Sequence, residues 1–250
     1  MRQPLPHDRV TPRSDSTQSK KQQVADMFDR IANRYDLINR FLSARIDLYW
    51  RKKAIAHLQK TSPKRLLDVA TGTGDMSLLA FRQLRPDHIT GIDISEGMLE
   101  VGRQKVKHQR LEQKIHLLSG DAETINAPDR SFDAVMVAFG VRNFENLQAG
   151  LSEMLRVLKP GGQLVVLEFA TPRNSFFRAL YNGYMKGWAP RLAQQLNSDG
   201  EAYNYLNRSS NAFPDRENFV LLLREAGYTN TAFEPLTFGI CCLYTATRPY

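Results

Sequence analysis

Leu66-Leu67-Asp68-Val69-Ala70-Thr71-Gly72-Thr73-Gly74-Asp75 decides how this chain is read: an apolar run holding one acidic residue, then two glycines in a turn. Such a run, broken by glycine, reads as a buried parallel strand feeding a helix. Glycine there lets the backbone pass close to a ligand with no Cβ in the way. In open α/β sheets, ligands bind at the carboxyl ends of the strands, where the strand order reverses. The dinucleotide fingerprint wants a third glycine three residues after Gly74, but residue 77 is Ser. The turn therefore lacks a full pyrophosphate cradle. No Walker-type lysine follows either, which argues against ATP or GTP.

Working outward, Asp93 lies 19 residues after Gly74, ending the next apolar run. A carboxylate there accepts both hydroxyls of a ribose. Gly120-Asp121-Ala122 ends the third run, placed for a side chain and a backbone N–H to read an adenine edge. Asp68 sits just before the glycine turn, within reach of a cationic amino-acid group. Taken singly, each Asp also suits a helix cap or a turn, and Ile94-Ser95 ahead of a helix fits that reading of Asp93. Three acidic residues ending three successive strands point instead to a nucleoside. A nucleoside carrying a sulfonium where others carry phosphates, S-adenosylmethionine, fits the pattern and needs no metal. Its expected contacts are Asp68, Gly72, Gly74, Asp93, Asp121 and Ala122.

The chain has 250 residues, 42% of them hydrophobic, enough for one full-sized core with a tail. Residues 1–20, rich in Pro, Ser, Arg and Gln, read as a disordered tail. Residues 21–62 read as an N-terminal helical lid region, with Val24, Met27, Phe28, Ile31 and Tyr35 at helical spacing. Residues 63–250 form the main domain, with an insertion at 171–213. Its strands are expected at 65–70, 88–94, 115–119, 131–139 and 163–169, with helices at about 76–84, 96–108 and 146–158 between them. That alternation predicts a parallel sheet covered on both faces. A helix at 215–226 leads to two closing strands, 228–235 and 238–247, whose short connection makes them antiparallel. The expected fold is a Rossmann-like α/β sheet of seven strands, mostly parallel with an antiparallel C-terminal strand, as in class I methyltransferases.

A net charge of +8 suggests an anionic partner, either nucleic acid or a membrane surface. The basic residues are dispersed and no nucleic-acid motif is present, so nucleic acid is not expected. The adjacent Cys241 and Cys242 suit a buried strand better than a disulfide. The five histidines are scattered and form no ligand pair. No apolar run approaches the roughly 18–20 residues that span a bilayer, and Met1 to Gln23 holds no signal-peptide core. A cytoplasmic protein is the expectation.

The residues after the fourth strand, Ala138-Phe139-Gly140-Val141-Arg142-Asn143-Phe144, are expected to face a methyl acceptor. They lack the Asn/Asp/Ser-Pro-Pro-aromatic run of amino-group methylases and the Pro-Cys of cytosine-carbon methylases. The fixed guanidinium of Arg142 suits a phenolate or carbonyl oxygen. From about Val24 onward the chain resembles the ubiquinone/menaquinone-biosynthesis C-methyltransferase family. Three stretches carry the resemblance: Tyr35-Asp36-Leu37-Ile38-Asn39-Arg40-Phe41-Leu42-Ser43 running on to Asp47 and Trp50; Phe139-Gly140-Val141-Arg142-Asn143; and Arg156-Val157-Leu158-Lys159-Pro160-Gly161-Gly162 through Glu168. Ile38, Asp47, Ala138 and Ala170 depart from the family pattern, which usually has Met, His, Ser and Ser.

The resemblance implies S-adenosylmethionine as cofactor, with contacts at Thr73, Asp93, Asp121 and Ala122. It implies methylation of a ring carbon of a demethylmenaquinol, or of a polyprenyl-methoxy-benzoquinol. Arg142 is expected to stabilise the phenolate, Asn143 to orient the acceptor, and Tyr35 and Asp36 to close the site or assist proton removal. A polyprenyl quinol brings the enzyme to a membrane, so Phe176–Trp188 is expected as an interfacial helix or tail-binding lid at the inner face of the plasma membrane. A homodimer stays open. So do another lipid or small-molecule methyltransferase and a non-catalytic S-adenosylmethionine-binding protein.

Overall fold

The structure, a computed structural model, describes residues 5–43, 45–183, 187 and 200–250. Its strands are β1 (Arg65–Val69), β2 (His88–Asp93), β3 (Ile115–Ser119), β4 (Phe132–Ala138), β5 (Leu158–Phe169), β6 (Thr229–Leu236) and β7 (Cys241–Thr247). They form one sheet in the order β3-β2-β1-β4-β5-β7-β6. The first five pair in parallel, and β7 runs antiparallel between β5 and β6. The closing strands are thus antiparallel as expected, with the last one inserted inside the edge. Cys241 and Cys242 are free and buried there.

Side-chain alternation explains the strand composition. Leu67 and Val69 of β1 join Val135 and Val137 of β4 on one face, while Leu66 joins Ala134 and Met136 on the other. With both faces covered, strands read as nearly continuous apolar runs. The first face is covered by α5 (Leu147–Val157) and α8 (Glu217–Glu225). The second is covered by α2 (Ile46–Gln59), α3 (Asp75–Leu84) and α4 (Glu96–His108). Leu67 is 1% exposed, and Leu67→Ala is expected to cost about 2–5 kcal/mol of stability.

β1 lies between β2 and β4, so successive connections leave it in opposite directions and open a crevice at its carboxyl end. Two non-glycine residues there adopt left-handed backbone, Ala70 at φ 53 after β1 and Phe139 at φ 63 after β4. Such conformations cost about 1–3 kcal/mol and cluster at functional sites. The two exits touch: a Cβ on Gly140 would sit 2.5 Å from that of Ala70.

The helix α1 (Lys20–Leu42) packs on α4. Its Asp29 accepts from Ser95 Oγ at 2.6 Å and from Gly97 N at 2.8 Å, capping α4 from another element. Within residues 1–20, expected as a disordered tail, His7, Pro12 and Lys20 are buried, while residues 13–15 and 17–19 are exposed. His7 is fully buried, with its ring 6.0 Å from that of Phe213. Arg208 of α7 (Gly200–Ala212) donates to the carbonyls of Thr11 and Pro12. The tail borrows its packing from elements distant in sequence, which its own composition does not reveal.

Candidate functional site

Two clefts meet at Tyr35, Ala70, Gly72 and Ala138. The larger, about 640 Å³, runs beneath α1, past Asp93 and Met98 to Asp121 and Ala122, with Val24 and Phe28 opposite. Gly72 (φ 56) and Gly74 (φ 75) make the turn between β1 and α3 in left-handed backbone. Asp93 accepts from Gly72 N at 2.8 Å through Oδ2 and from Ser95 N at 2.9 Å through Oδ1. Burial pushes its carboxyl up to about 6, against the pull of those N–H donors. It is therefore ionised at neutral pH, and each oxygen keeps a lone pair for a ribose hydroxyl. Asp121 accepts from Glu123 N at 2.9 Å, and its other oxygen pairs with Lys21 of α1.

The second cleft, about 440 Å³, is polar and holds Asp36, Arg40, Arg51, Asp68, Thr73 and Asp75. Asp68 is 1% exposed. Its Oδ2 accepts from Thr71 Oγ1 at 2.7 Å and from Ser77 Oγ at 2.6 Å. Its Oδ1 is buried with no partner among the described residues. Burial raises the Asp68 carboxyl, while the Ser77 and Thr71 hydrogen bonds pull it down. Residue 77, where a third glycine would stand in a dinucleotide fold, thus carries a hydroxyl that fixes this carboxylate. The bare oxygen fits a cation, because an unsatisfied buried acceptor costs about 1–3 kcal/mol.

α1 is pinned onto this turn. Thr73 Oγ1 donates to Asp36 Oδ1 at 2.6 Å and accepts from Lys105 Nζ at 2.9 Å. Lys105 also pairs with Asp36 and Asp75. Asp36 thereby ties the lid to the glycine turn. Tyr35 lines both clefts, its ring 5.8 Å from Phe28. Burial raises the Tyr35 phenol, partly offset by the charge of Arg142.

Arg142 lies on a 3-10 turn after β4 and is 2% exposed. Its Nη1 donates to Glu168 Oε1 at 2.6 Å and to Phe139 O at 2.6 Å. Its guanidinium stands 5.3 Å from the ring centre of Phe169, which lies 4.6 Å from that of Phe139. Arg142 Nε and the neighbouring Asn143 Oδ1 are both buried without a partner among the described residues. Asn143 lines the larger cleft.

Of the cofactor candidates, Gly72, Asp93, Asp121 and Ala122 line the larger cleft and Asp68, Gly72 and Thr73 the polar one, while Gly74 lines neither. Of the acceptor candidates, Tyr35 lines both clefts, Asn143 the larger and Asp36 the polar one, while Arg142 lines neither. Glu168, in the sequence only the end of the third family stretch, acquires a role here, and Lys105, Lys21 and Arg51 join the site through the fold. A glutamate within an apolar β-strand, as Glu168 is one residue before the end of β5, is the available signal, since a buried carboxylate needs a cation.

A model of the ubiE/COQ5 methyltransferase family matches residues 16–248. The demethylmenaquinone methyltransferase of Bacteroides fragilis is 46% identical, covering 97% of this chain and 99% of its own. A ubiquinone/menaquinone biosynthesis C-methyltransferase of Geobacter sulfurreducens is 43% identical, covering 92% and 90%. Among solved structures, a possible histamine N-methyltransferase from Thermotoga maritima aligns with a TM-score of 0.61 at 20% identity, over 90% of this chain and 99% of its own. The cyclase SpnF aligns with a TM-score of 0.59 at 19% identity over 99% of each. The structural likeness shows the fold alone, since one fold hosts many chemistries.

Proposed function

We infer, from the premise that the chain belongs to the ubiE/COQ5 methyltransferase family, that it methylates a ring carbon of demethylmenaquinol from S-adenosylmethionine. The products are menaquinol, S-adenosylhomocysteine and one proton, which the ring carbon gives up in exchange for the methyl group. When bound, S-adenosylmethionine supplies an electrophilic methyl group. In this reading Asp93 holds the ribose, Asp121 and the Ala122 N–H read the adenine, and Asp68 Oδ1 takes the ammonium of the amino-acid end. Gly72, Thr73 and Gly74 shape the turn between them.

A hydroquinone carbon is a poor nucleophile until an adjacent hydroxyl loses its proton, after which the ring carbon carries enolate density. A fixed cation that stabilises the phenolate raises that reactivity. The observation that carries the reading is a buried guanidinium, held by Glu168, with its Nε lacking a partner among the described residues. Arg142 stabilises the acceptor oxygen and Asn143 orients the ring. Tyr35, with its phenol raised, serves as a hydrogen-bond donor at neutral pH and not as a base. Asp36, committed to Thr73 and Lys105, closes the site.

The prenyl tail needs a route from a bilayer. Among the described residues no helix is long and apolar enough to cross a membrane. We propose peripheral contact through α6 (Ser175–Gly183), whose Phe176 and Leu180 are bare, together with bare Phe238 on the β6–β7 connection. Phe177 stacks on Phe238 at 4.1 Å. The remainder of the expected interfacial stretch, through Trp188, falls mostly outside the described residues. Binding to anionic vesicles should weaken with salt; salt-independent binding contradicts the electrostatic part.

Turnover of a short-chain demethylmenaquinol and of a polyprenyl-methoxy-benzoquinol, with products identified by mass and proton NMR, tests the acceptor. A ring C-methyl on the naphthoquinol is expected. Methylation of the benzoquinol alone moves the enzyme to the ubiquinone branch. Binding of the cofactor without transfer to either makes the chain a non-catalytic binder.

A further inference from the structure

Arg51 is a charge at the polar cleft that the reading above leaves without a task. It lines that cleft from α2 with its side chain 11% exposed. Its Nε is buried and has no hydrogen-bond partner among the described residues. The Asp47 carboxylate stands 3.7 Å from it, within ion-pair range but beyond a hydrogen bond. The guanidinium carbon lies 5.5 Å from the centre of the Phe139 ring, so its plane leans on an aromatic and is not loose in solvent.

The other cations at the cleft are occupied. Arg40 donates to Asp75 at 2.8 Å, and Lys105 serves Thr73, Asp36 and Asp75. Of the two cations that line the cleft, Arg40 and Arg51, Arg51 alone makes no side-chain hydrogen bond to the described residues. In the same cleft Asp68 Oδ1 is also bare. Two buried groups of opposite charge therefore face one space, each with an open atom, and neither satisfies the other. A zwitterionic α-amino acid presents the complementary pair, a carboxylate and an ammonium on one carbon.

We propose that Arg51 holds the carboxylate of the cofactor's amino-acid end, opposite Asp68, which takes the ammonium. The proposal rests on the S-adenosylmethionine reading and deepens it. Asp47 is a positioning residue: it accepts from Ser43 Oγ at 2.6 Å and keeps its other oxygen on Arg51. The departure from the family's usual His at this position thus acquires a use. The arrangement divides recognition along the ligand: the larger cleft reads the nucleoside and the polar cleft reads the amino-acid head.

Calorimetric titration with three adenosyl ligands tests the division. S-adenosylhomocysteine carries both head charges, decarboxylated S-adenosylmethionine lacks the carboxylate, and 5′-methylthioadenosine lacks the whole head. Arg51→Gln is expected to weaken S-adenosylhomocysteine by about 10–100-fold, the range of a hydrogen bond to a charged group. It should leave methylthioadenosine within about twofold and the decarboxylated ligand no weaker. Arg51→Lys should recover part of the loss. Equal weakening of all three ligands, or an unchanged S-adenosylhomocysteine affinity, overturns the proposal. Wild-type protein that binds none of the three overturns the cofactor reading beneath it. If Arg51→Gln does not fold, the wild type still decides: similar affinity for S-adenosylhomocysteine and methylthioadenosine contradicts any charged grip on the head.

Discussion

Two of the carboxylates assigned to the cofactor are fixed by backbone at or just past strand ends, Asp93 by the N–H groups of Gly72 and Ser95 and Asp121 by that of Glu123, while Asp68 is fixed by the nearby hydroxyls of Thr71 and Ser77. Arg142 is fixed largely by another side chain, Glu168 of the neighbouring strand β5. The Phe139 carbonyl supplies a second anchor. The helix closing over the site, α1, lies outside the sheet altogether. One half of the site is thus written into the sheet. The other is assembled from segments that meet only in the folded chain, and the two halves should fail separately.

The sharpest way to break that division is at Arg142. Removing it alone strands the buried Glu168 charge, which is costly in itself. Arg142→Met combined with Glu168→Gln avoids this and should lower turnover by about 10²–10³-fold. Full turnover would remove Arg142 from the mechanism. Next in size, Asp93→Ala should weaken S-adenosylhomocysteine by about 100-fold by calorimetry, the loss of two hydrogen bonds to a charged acceptor. A loss under about threefold would detach Asp93 from the ribose.

The pH dependence belongs to the cofactor half. With its carboxyl raised to about 6, Asp93 takes up a proton as pH falls through that value and its acceptor charge is lost. S-adenosylhomocysteine affinity should rise from pH 5 to 7 and level off above, with a limiting slope of about tenfold per unit. A flat profile would mean that the ionised form is not the one that binds. Smaller still is the effect of Lys21, which sits on Asp121 where the adenine edge is expected. Because a partly exposed ion pair is worth about 0–1 kcal/mol, Lys21→Ala should tighten S-adenosylhomocysteine by at most about fivefold. Weaker binding would make Lys21 a contact of the ligand.

What could be read in the sequence follows the same line. Apolar runs ending in Asp68, Asp93 and Asp121 gave strand ends and their acids together, because local hydrophobic pattern sets a buried strand. The order of β6 and β7 was not readable, since both permitted orders share one pattern. Neither were the left-handed Ala70 and Phe139, which surrounding structure imposes on residues with no preference for it. Asp29 capping α4 and Lys105 bridging Asp36 to Asp75 depend on α1 crossing other elements. Buried His7 shows the same limit: Pro and Ser predict an unpacked tail, and the seat that receives His7 lies some 200 residues away, at Phe213.

The claim that the two halves are separate devices is tested most directly by the affinity of the Arg142→Met/Glu168→Gln chain for S-adenosylhomocysteine. Because the Arg142 side chain bonds to Phe139 O and Glu168 and not to Asp93, Asp121 or Asp68, the Kd should stay within about twofold of wild type while turnover collapses. A Kd that rises in step with the loss of turnover would show that cofactor and acceptor share one indivisible site.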